Sequence, residues 1–315
     1  MLDQNTGLKR LEKILNWLSL DENVNIYRNG DPEVFLRSQY LERVGKLPDL
    51  ARPLSYNEKL QWLKLYWRDP SASLCANKFT ARNHVKKCGY AHMLHPLLAV
   101  WNSEEEIDFS DLPDSFIIKA AHASGLNLIV QDKHTLPFHQ TKKTLGAVLR
   151  VPYYAAKMEW VYETGPACLL CEELFPENHG APLDYKFLCF NGVVKAVEIL
   201  TVTDMIGLRD EPRSYFCNEN LERLPVRYGY LPLGGFPKKP DCYEEMKAAA
   251  AAMSIGFPHV RVDFCVSQER AWFGEFTFFP GAGFDTFDPE GFALEMGSWI
   301  QLPTNNTKRD LYEEQ

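Results

Sequence analysis

Two short segments near the C-terminal end carry acidic and basic side chains at strand spacing. One reads VRVDF from residue 260, and the other reads GEFTFFPGAG from residue 274. In both, β-branched and aromatic residues alternate with other types, which is typical of β-strands. Side chains two positions apart on a strand share a face, so Arg261 lies beside Asp263, and Glu275 lies beside Thr277. Carboxylate and hydroxyl oxygens next to an arginine indicate a magnesium site that handles phosphate groups.

The pairing register of this hairpin decides whether the two acids meet. Residues directly opposite in an antiparallel pair share a face of the sheet. If Val266 faces Ala271 near the turn, then Asp263 faces Gly274, and Glu275 points to the other side. We therefore predict an odd-length loop or a β-bulge in the hairpin. A flat hairpin with a four-residue loop would rule out a metal site at both acids.

The composition is that of a folded, acidic protein. The chain has 315 residues, 45% of them hydrophobic and 24% charged, and a formal net charge of −8. The length suggests two domains, and the acidic balance argues against broad binding to nucleic acids or anionic membranes. The eight cysteines include one C-x-x-C pair, Cys168 and Cys171, but no second ligand pair, so we expect reduced thiols rather than a zinc site. No signal peptide or transmembrane segment is recognisable, which predicts a cytoplasmic protein.

Helical patterns dominate the first 75 residues, and strand patterns follow. Leucines recur at helical spacing near the N-terminus, at Leu8, Leu11, Leu15 and Leu18. They predict an amphipathic helix that packs on the protein body, on a partner or on a membrane surface. A second helix begins at Ser55, where Glu58 gives the spacing of a capping box. Further along, Asn191-Gly192 between two alternating runs is a strong signal for a β-hairpin.

Lys119 ends the short apolar run FIIK and is followed at once by the small-residue loop AAHASG. Small residues let backbone N–H groups approach a phosphate closely, and the lysine supplies the matching charge. This pattern differs from a P-loop, because GxxxxGK[ST] is absent and the lysine precedes the loop. The alternative is an ordinary solvated lysine at the end of a strand.

Lys186 and the pair Glu172-Glu173 each allow two interpretations. Lys186 lies in a strand of the Asn-Gly hairpin, where it either protects a sheet edge or points into a cleft together with Asp184. Glu172 and Glu173 end a strand at a connection. They are either a solvated acidic pair or a hinge that hydrogen-bonds adenine through the main chain and ribose through a carboxylate. The residues alone leave both questions open.

The order of these features resembles the ATP-grasp superfamily. More narrowly, the phrases LSYNEKLQWLKL, FIIKAAHASG, DYKFLCFNG, RVDF and FGEFTFFPGAG are similar to the TupA-like ATP-grasp family, over residues 50–303. The resemblance implies an α+β ATP-grasp fold, in which two α+β lobes with antiparallel sheets sandwich ATP, plus a helical N-terminal region. Members of this family accompany the synthesis of teichuronopeptide and other bacterial surface polysaccharides.

The resemblance also implies a division of the chain into four parts. These are a helical N-terminal region, a smaller lobe with the phosphate-binding loop, a larger lobe with the metal site and a polar tail, at residues 1–75, 76–171, 172–303 and 304–315. Within the larger lobe, the 205–240 segment is rich in proline, glycine and arginine, so we expect it to be irregular. We predict that it borders the acceptor pocket through Arg209, Arg213, Arg223 and Arg227.

The family's nucleotide-binding roles carry over residue by residue. Phosphates would be contacted by Lys78, Lys119 and Lys186. The loop that closes over the β- and γ-phosphates would include His122, Ser124, Gly125 and Asn127. The adenine hinge would consist of Glu172, Glu173 and Leu174.

The catalytic and metal-binding roles carry over in the same way. Lys186 and Arg261 would stabilise the transferred phosphoryl group, with Arg261 also orienting the acceptor. One or two Mg²⁺ ions would be held by Asp263, Glu275 and Thr277. The chain departs from the superfamily at Thr277, where asparagine is common, and at Asn77, where aspartate is common. Threonine still offers a hydroxyl oxygen to magnesium, whereas Asn77 removes a charge.

The implied reaction is an ATP-dependent carboxylate–amine ligation. A carboxylate attacks the γ-phosphate of ATP to give an acylphosphate and ADP, and an amine then displaces phosphate to form an amide. The expected amine is an amino acid or an amine-bearing sugar, joined to a component of a bacterial surface polysaccharide, with peripheral association with the synthesis machinery. Two alternatives remain, a phosphotransferase acting on a sugar hydroxyl and a non-catalytic nucleotide-binding scaffold. No GxSxG or Cys-His nucleophile pattern competes with these.

Overall fold

Helices form about half of the first third of the chain, and the strands begin at residue 97 and are interspersed with further helices. The computed structural model describes residues 4–18, 30–174, 183–201, 213–228, 231–232, 236–267 and 269–304. The helices among them are α1 Gln4–Leu18, α2 Pro32–Val44, α3 Tyr56–Tyr66, α4 Pro70–Ala76, α5 Lys78–Lys87, α6 Phe138–Arg150, α7 Tyr153–Ala156, α8 Tyr243–Met253 and α9 Gly291–Trp299. Short 3-10 helices lie at Ala91–Met93, Lys133–Thr135, Trp160–Tyr162 and Pro280–Gly283.

Within the described residues, the strands form three sheets, which are antiparallel apart from one short parallel pair. In chain order they are β1 Leu97–Trp101, β2 Phe116–Ala120, β3 Asn127–Val130, β4 Leu169–Glu173, β5 Leu183–Phe190, β6 Val193–Thr201, β7 Arg213–Asn218, β8 Arg227–Tyr228, β9 Leu231–Pro232, β10 Val260–Ser267, β11 Arg270–Thr277 and β12 Phe287–Asp288. The parallel pair joins β7 and β9. The predicted α+β class with antiparallel sheets is therefore confirmed.

Two compact units divide the chain, and each draws on two stretches of sequence. One unit comprises residues 1–30 with 73–176, and the other comprises 31–72 with 177–315. The expected N-terminal region 1–75 is thus shared between the units, because α1 packs on β3 and α6, whereas α3 packs on α9. The expected boundary at residue 172 falls inside β4, whose pairing with β1 and β2 keeps the strand in the first unit.

The first unit is built on a four-stranded sheet in the order β1–β4–β2–β3. One face of this sheet is apolar and is covered by α1 and α6. The residues buried together there include Leu11, Leu18, Phe116, Ile118, Leu128, Leu145 and Val148. Burial of each large apolar side chain stabilises the fold by about 1.5–3 kcal/mol. The N-terminal leucine stripe therefore packs on the protein body, the first of the three predicted possibilities.

The second unit is built on a six-stranded sheet in the order β11–β10–β5–β6–β7–β9. One face is apolar and packs against α8. Tyr243 of α8 contacts the rings of Tyr185 and Phe187, with centroids 6.2 and 5.6 Å away. Phe264 on β10 lies on the same face, opposite Tyr185. Because side chains alternate along a strand, the intervening residues of β5 and β10 point to the other face.

The predicted Asn-Gly hairpin is confirmed. Asn191 and Gly192 form the two-residue connection between β5 and β6. Their φ angles are +46° and +85°. A pair of positive φ values is the requirement of a type I′ turn, whose twist matches that of the flanking strands. The turn therefore fixes β5 and β6 as neighbours in the middle of the sheet.

The capping box predicted at the start of α3 is also confirmed. The Ser55 side chain accepts from the backbone of Glu58, and the Glu58 carboxylate accepts from the backbone of Ser55. Further along this helix, Asn57, Gln61 and Lys64 donate to backbone carbonyls of residues 282–285. The helix thus holds the loop that follows β11. The two segments NEKLQWLK and FFPGAG, which are far apart in sequence, are therefore in direct contact.

The 205–240 segment is more regular than expected. Residues 213–218 form β7, which pairs with β6, because Tyr215 and Cys217 alternate toward the apolar face of the sheet. The neighbouring prolines and arginines obscure this short alternation in the sequence. Arg209 lies outside the described residues. Arg223 stacks over the Tyr215 ring at 5.1 Å, and Arg227 pairs with Asp288 at 3.0 Å.

The cysteines are all free thiols, as their scattered positions predicted. Five of them are buried, and burial raises the thiol pKa of four of these, Cys168, Cys171, Cys189 and Cys217, for example that of Cys171 to about 12. A pair such as Cys168 and Cys171 is therefore unreactive in the folded protein. Within the ranges that the structure describes, no helix is both long enough and apolar enough to cross a membrane.

Candidate functional site

Four charged side chains lie in one row across neighbouring strands of the six-stranded sheet. Glu275 on β11 is opposite Asp263 on β10. Asp263 is opposite Lys186 on β5, and Lys186 is opposite Glu198 on β6. Opposed residues of antiparallel strands share a face. The charged row therefore runs across the sheet face that points away from α8.

A β-bulge is what brings Asp263 and Glu275 together. Val266 pairs with Ala271 near the turn, but the register shifts after Asp263, so that Gly274 is the extra residue and Glu275 faces Asp263. The predicted bulge is confirmed. A Cβ atom at Gly274 would lie 3.1 Å from the backbone oxygen of Asp263. Glycine therefore suits the close approach of the two strands at this point.

Arg261 connects the acidic side chains of the row. Its Nε donates to Oδ1 of Asp263 at 2.8 Å, and its Nη2 donates to Oδ2 at 2.6 Å. Nη2 also donates to Oγ1 of Thr277 at 3.2 Å, and this hydroxyl donates to Oε1 of Glu275 at 3.3 Å. Burial opposes the charge of Arg261, but the attraction of Asp263, with smaller contributions from other acids, raises its pKa above the usual value. The guanidinium is a fixed cation.

Lys186 is buried on an interior strand, because β5 lies between β10 and β6. The edge-protection interpretation is therefore wrong. Its ammonium group has no hydrogen-bond partner within the described residues, so it remains available to an anion. Asp184 shares its face, as the alternative interpretation expected. Burial raises the pKa of Asp184 to about 7, with Lys186 opposing that rise.

The donor set of Asp263, Glu275 and Thr277 fits magnesium of the kind that is bound together with phosphates. Mg²⁺ prefers oxygen ligands and commonly takes one or two carboxylates, with water and substrate phosphates completing its octahedron. Within the described residues, no three His, Cys, Asp or Glu side chains form a complete metal site. The Asp263 oxygens already accept from Arg261, but each carboxylate oxygen has a second lone pair for a cation.

The polar face of the first unit's sheet presents a buried acid between two cations. Lys119 Nζ donates to Oε2 of Glu172 at 2.7 Å, and Arg82 Nη1 lies 3.3 Å from Oε1. Burial opposes the charge of Glu172, but attraction to Lys119, then His95 and Arg82, outweighs it and lowers the pKa. Lys119 and Glu172 are therefore partners rather than solvated side chains. Arg82 was missed in the sequence, although it lies one helical turn after Lys78.

Lys78 begins α5 and reaches the loop after Lys119. Its Nζ donates to the carbonyl of Ala123 at 2.7 Å. Asn77 caps the helix by accepting from backbone N–H groups of the first turn, and its Nδ2 donates to the carbonyl of Pro166 at 2.9 Å. An aspartate could cap the helix but could not donate to Pro166. The departure at Asn77 is thus explained by a local hydrogen bond.

His122 lies in the predicted phosphate loop but points into the first unit. Its Nε2 is 3.2 Å from the carbonyl of Val148 on α6, and its ring is buried. Burial, together with the nearby charge of Lys78, lowers its pKa even though the Val148 carbonyl acts in the opposite direction. The imidazole is therefore neutral at pH 7, and its position is that of a residue that supports the loop from beneath.

The rest of the loop is more accessible. Gly125 is exposed with a φ of +76°, a left-handed conformation that favours glycine, and Ser124 is half-buried beside it. Asn127 is opposite Lys119, on the same face of the sheet. Its buried Oδ1 has no hydrogen-bond partner in the described part of the chain. Ser124, Gly125 and Asn127 thus lie at the end of the sheet where Lys119 is held.

The expected hinge residues have different surroundings. The Glu172 carboxylate is occupied by its two cations, whereas Glu173 is exposed and Leu174 is half-buried. The backbone N–H of Glu173 donates to the carbonyl of Pro96 at 3.3 Å. Of the two acids, Glu173 is therefore the one whose carboxylate is available to a ribose hydroxyl.

Comparison with solved structures finds ATP-grasp ligases. A D-alanine–D-alanine ligase from Helicobacter pylori is 16% identical, with a TM-score of 0.43, covering 78% of this chain and 69% of that chain. The enzyme from Bacillus anthracis complexed with ATP is 13% identical, with a TM-score of 0.41, covering 72% and 65%. The chain therefore spans slightly less than two thirds of the Bacillus enzyme. The ligase PsnB complexed with a minimal precursor, Mg and ADP is 11% identical, with a TM-score of 0.40, covering 78% and 66%.

Comparison with protein families gives a match over most of the chain. No curated protein matches the sequence. The family model for TupA-like ATPgrasp matches residues 58–301, which include the charged row, the Lys119 loop and the Glu172 strand. The match covers well over half of the chain, and it agrees with the α+β architecture and the sheets described above. The protein belongs to the TupA-like ATP-grasp family.

Proposed function

We propose that this protein is an ATP-dependent carboxylate–amine ligase that works through an acylphosphate. The observation that supports this most strongly is the juxtaposition of Asp263 and Glu275 across the bulge, with Arg261 and Lys186 on the same face. Phosphoryl transfer needs positioned cations and a metal site far more than it needs a protein nucleophile. The charged row provides both kinds of group on a rigid sheet.

In this proposal, Arg261 and Lys186 are the catalytic residues of the second unit. Both are cations on the polar face, and both would neutralise negative charge on the phosphoryl oxygens as the carboxylate attacks. Asp263, Glu275 and Thr277 would hold Mg²⁺, which supplies further positive charge to the phosphates. Arg261 is held by two hydrogen bonds to Asp263, so its position is set before a nucleotide arrives. That preorganisation lowers the cost of reaching the transition state.

The first unit would bind the nucleotide. Lys119 and Lys78 would contact phosphates, and the loop with Ser124, Gly125 and Asn127 would close over them, supported by His122. The main chain from Glu172 to Leu174 would hydrogen-bond the adenine ring, with Glu173 available to the ribose. Lys119 would then exchange part of its contact with Glu172 for a phosphate oxygen. Arg82 would keep Glu172 neutralised during that exchange.

We also propose a substrate class on the basis of the family alone. The amine would be an amino acid or an amine-bearing sugar, and the carboxylate would belong to a component of a bacterial surface polysaccharide. The reaction would take place in the cytoplasm, with the protein associated peripherally with the synthesis machinery. The 213–228 segment would border the acceptor pocket, since Ser214 and Phe216 of β7 are on the polar face.

An ADP-release screen with product mass tests this proposal. The purified protein is incubated with ATP, Mg²⁺, amino acids and either uronic or amino sugars. We expect ADP and phosphate, and a product whose mass equals that of the two substrates less one water. AMP and pyrophosphate would contradict the mechanism. A product that retains the phosphate would indicate a phosphotransferase, and nucleotide binding without turnover in any combination would indicate a scaffold.

A further inference from the structure

The last member of the charged row has no role in the function proposed so far. Glu198 is 1% exposed, and its Oε1 has no hydrogen-bond partner among the residues that the structure describes. The Ser214 side chain hydrogen-bonds the carboxyl group. A buried polar atom without a partner is destabilising. Such an atom in a charged row therefore requires an explanation, and a bound ligand is one.

The position of Glu198 separates it from the proposed metal site. Lys186 lies between Asp263 and Glu198 in the row, so the proposed metal ligands Asp263 and Glu275 are on one side of the lysine and Glu198 is on the other. Opposed side chains on neighbouring strands have Cβ atoms about 4.5–5.5 Å apart. Glu198 is thus one strand away from the ammonium that we assign to the transferred phosphoryl group.

The environment of Glu198 selects the chemical class of its ligand. Beyond it in the row lies Phe216, whose ring contacts Tyr228 at 5.9 Å and Phe287 at 6.0 Å. Burial raises the pKa of Glu198, although Lys186 and Arg261 oppose that rise. An unpartnered carboxyl oxygen accepts hydrogen bonds, and an ionised carboxylate or phosphate dianion has no hydrogen to donate to it. A carboxylate or phosphate substrate is therefore excluded there, and a group bearing N–H bonds fits.

We propose that Oε1 of Glu198 binds the amine nucleophile of the second half-reaction. This inference rests on the proposed ligase function and assigns its amine subsite. The acyl carbon forms where a carboxylate meets the phosphoryl group beside Lys186, and a nucleophile must come within about 3–3.5 Å of it. An amine held at Glu198 approaches from the side of Lys186 that is opposite Asp263 and Glu275. The buried surroundings keep bulk water away from the acylphosphate, which hydrolysis would otherwise consume.

The bonds and protons of this step balance without a further reagent. The amine enters the reaction in its neutral form, having released its extra proton to solvent, and its lone pair attacks the acyl carbon. The new C–N bond forms as the C–O bond to phosphate breaks. One of the two amine hydrogens stays on the amide nitrogen, and the other leaves with the phosphate. Glu198 accepts a hydrogen bond from the amine throughout and orients its lone pair toward the acyl carbon.

Two rates measured on the same variants test the proposal. Isotope exchange between ADP and ATP, supported by glucuronic and galacturonic acids, reports the first half-reaction alone. Amide formation, with a mixture of the twenty amino acids as the amine probe, reports both half-reactions. The variants are Glu198→Leu, which removes the acceptor oxygen, and Glu198→Gln, which keeps one. Glu295→Leu is the matched control, because Glu295 is an exposed glutamate on α9.

We expect Glu198→Leu to lower the ratio of amide formation to exchange at least tenfold and to raise the KM for the amine. Glu198→Gln should restore much of that ratio, and Glu295→Leu should leave it at the wild-type value. A parallel fall of both rates in Glu198→Leu, or an unchanged ratio, would overturn the assignment of Glu198 while leaving the ligase function in place. Absence of carboxylate-dependent exchange in the wild-type protein would instead reject the ligase function, and the amine subsite with it.

Discussion

Asp263 and Glu275 face each other across β10 and β11 because Gly274 adds one residue to the second strand. In a regular register without the bulge, Gly274 would face Asp263, and Glu275 would face Val262 on the apolar side with Tyr185 and Phe187, where an unpaired carboxylate is very costly. The bulge therefore determines on which side of the sheet the acid lies. It also bends the strand locally, a common device beside active sites.

Substitution of Gly274 by alanine should disturb this arrangement. The new Cβ would lie 3.1 Å from the backbone oxygen of Asp263, closer than ordinary contact, so we expect the free energy of unfolding to fall by about 1 kcal/mol. Urea denaturation measures this change. Gly291→Ala is the matched control, since a Cβ there meets nothing within 4 Å. Equal stabilities of the two variants would show that the strands at the bulge can accommodate a Cβ atom at residue 274 without cost.

The raised pKa of Asp184 predicts a pH-dependent stability. The folded protein keeps a proton on Asp184 up to about pH 7, whereas the unfolded chain releases it near the ordinary aspartate pKa of 3.8. The stability from this group is thus fully present below about pH 4 and is lost as the pH rises to about 7. Relative to wild type, Asp184→Asn should gain up to about 4 kcal/mol between pH 4 and pH 7.5. Urea midpoints at several pH values measure the difference, and parallel curves would contradict the assignment.

Replacement of Lys186 by methionine should affect catalysis far more than stability. The ammonium has no hydrogen-bond partner within the described residues, so its loss breaks no hydrogen bond there, and methionine preserves much of the apolar stem. We expect ADP formation to fall about 100-fold or more and the melting temperature to change by only a few degrees. Lys195→Met, on the exposed part of β6, should change neither. A comparable loss of activity in both variants would show that Lys186 has no specific role in the site.

Asn77→Asp tests the explanation of the departure from the family pattern. Aspartate would still cap α5, but its oxygen would face the carbonyl of Pro166, which now accepts from Nδ2 at 2.9 Å. Two acceptors in contact should lower the free energy of unfolding by about 1–3 kcal/mol. Differential scanning calorimetry of the variant beside wild type measures this. A variant with unchanged or higher stability would show that the Pro166 contact is unimportant.

Local patterns predicted much of the fold, because turn and cap chemistry act over a few residues. Asn191-Gly192 predicted its hairpin, and Ser55 with Glu58 predicted the start of α3. The division into units was harder to predict, because it depends on which distant surfaces a helix covers. The leucines at helical spacing predicted a buried face on α1, but they did not predict that this face would pack on β3 and α6.

Prediction of the candidate site from the sequence was likewise incomplete, because some of its residues depend on the pairing register of distant strands. The register argument predicted an odd-length loop or a bulge in the hairpin, since two acids of one site had to share a face, and the structure has a bulge at Gly274. Glu198 was missed because a second bulge, at Lys195, shifts β6 by one residue relative to β5. A regular two-residue hairpin would place Val197 opposite Lys186 and turn Glu198 toward the apolar face. Nothing in the local sequence of β6 marks that shift.

The measurement that tests the central claim most directly is Mg²⁺-dependent ADP formation by Asp263→Asn. The account assigns Asp263 to the metal site and to the hydrogen bonds that hold Arg261. We expect the variant to remain folded, with reduced stability because Arg261 loses its charged partner, and to form ADP at least about 100-fold more slowly than wild type. Asp241→Asn, at an exposed aspartate just before α8, is the control and should retain full activity. Wild-type turnover in Asp263→Asn at saturating ATP and Mg²⁺ would contradict the account.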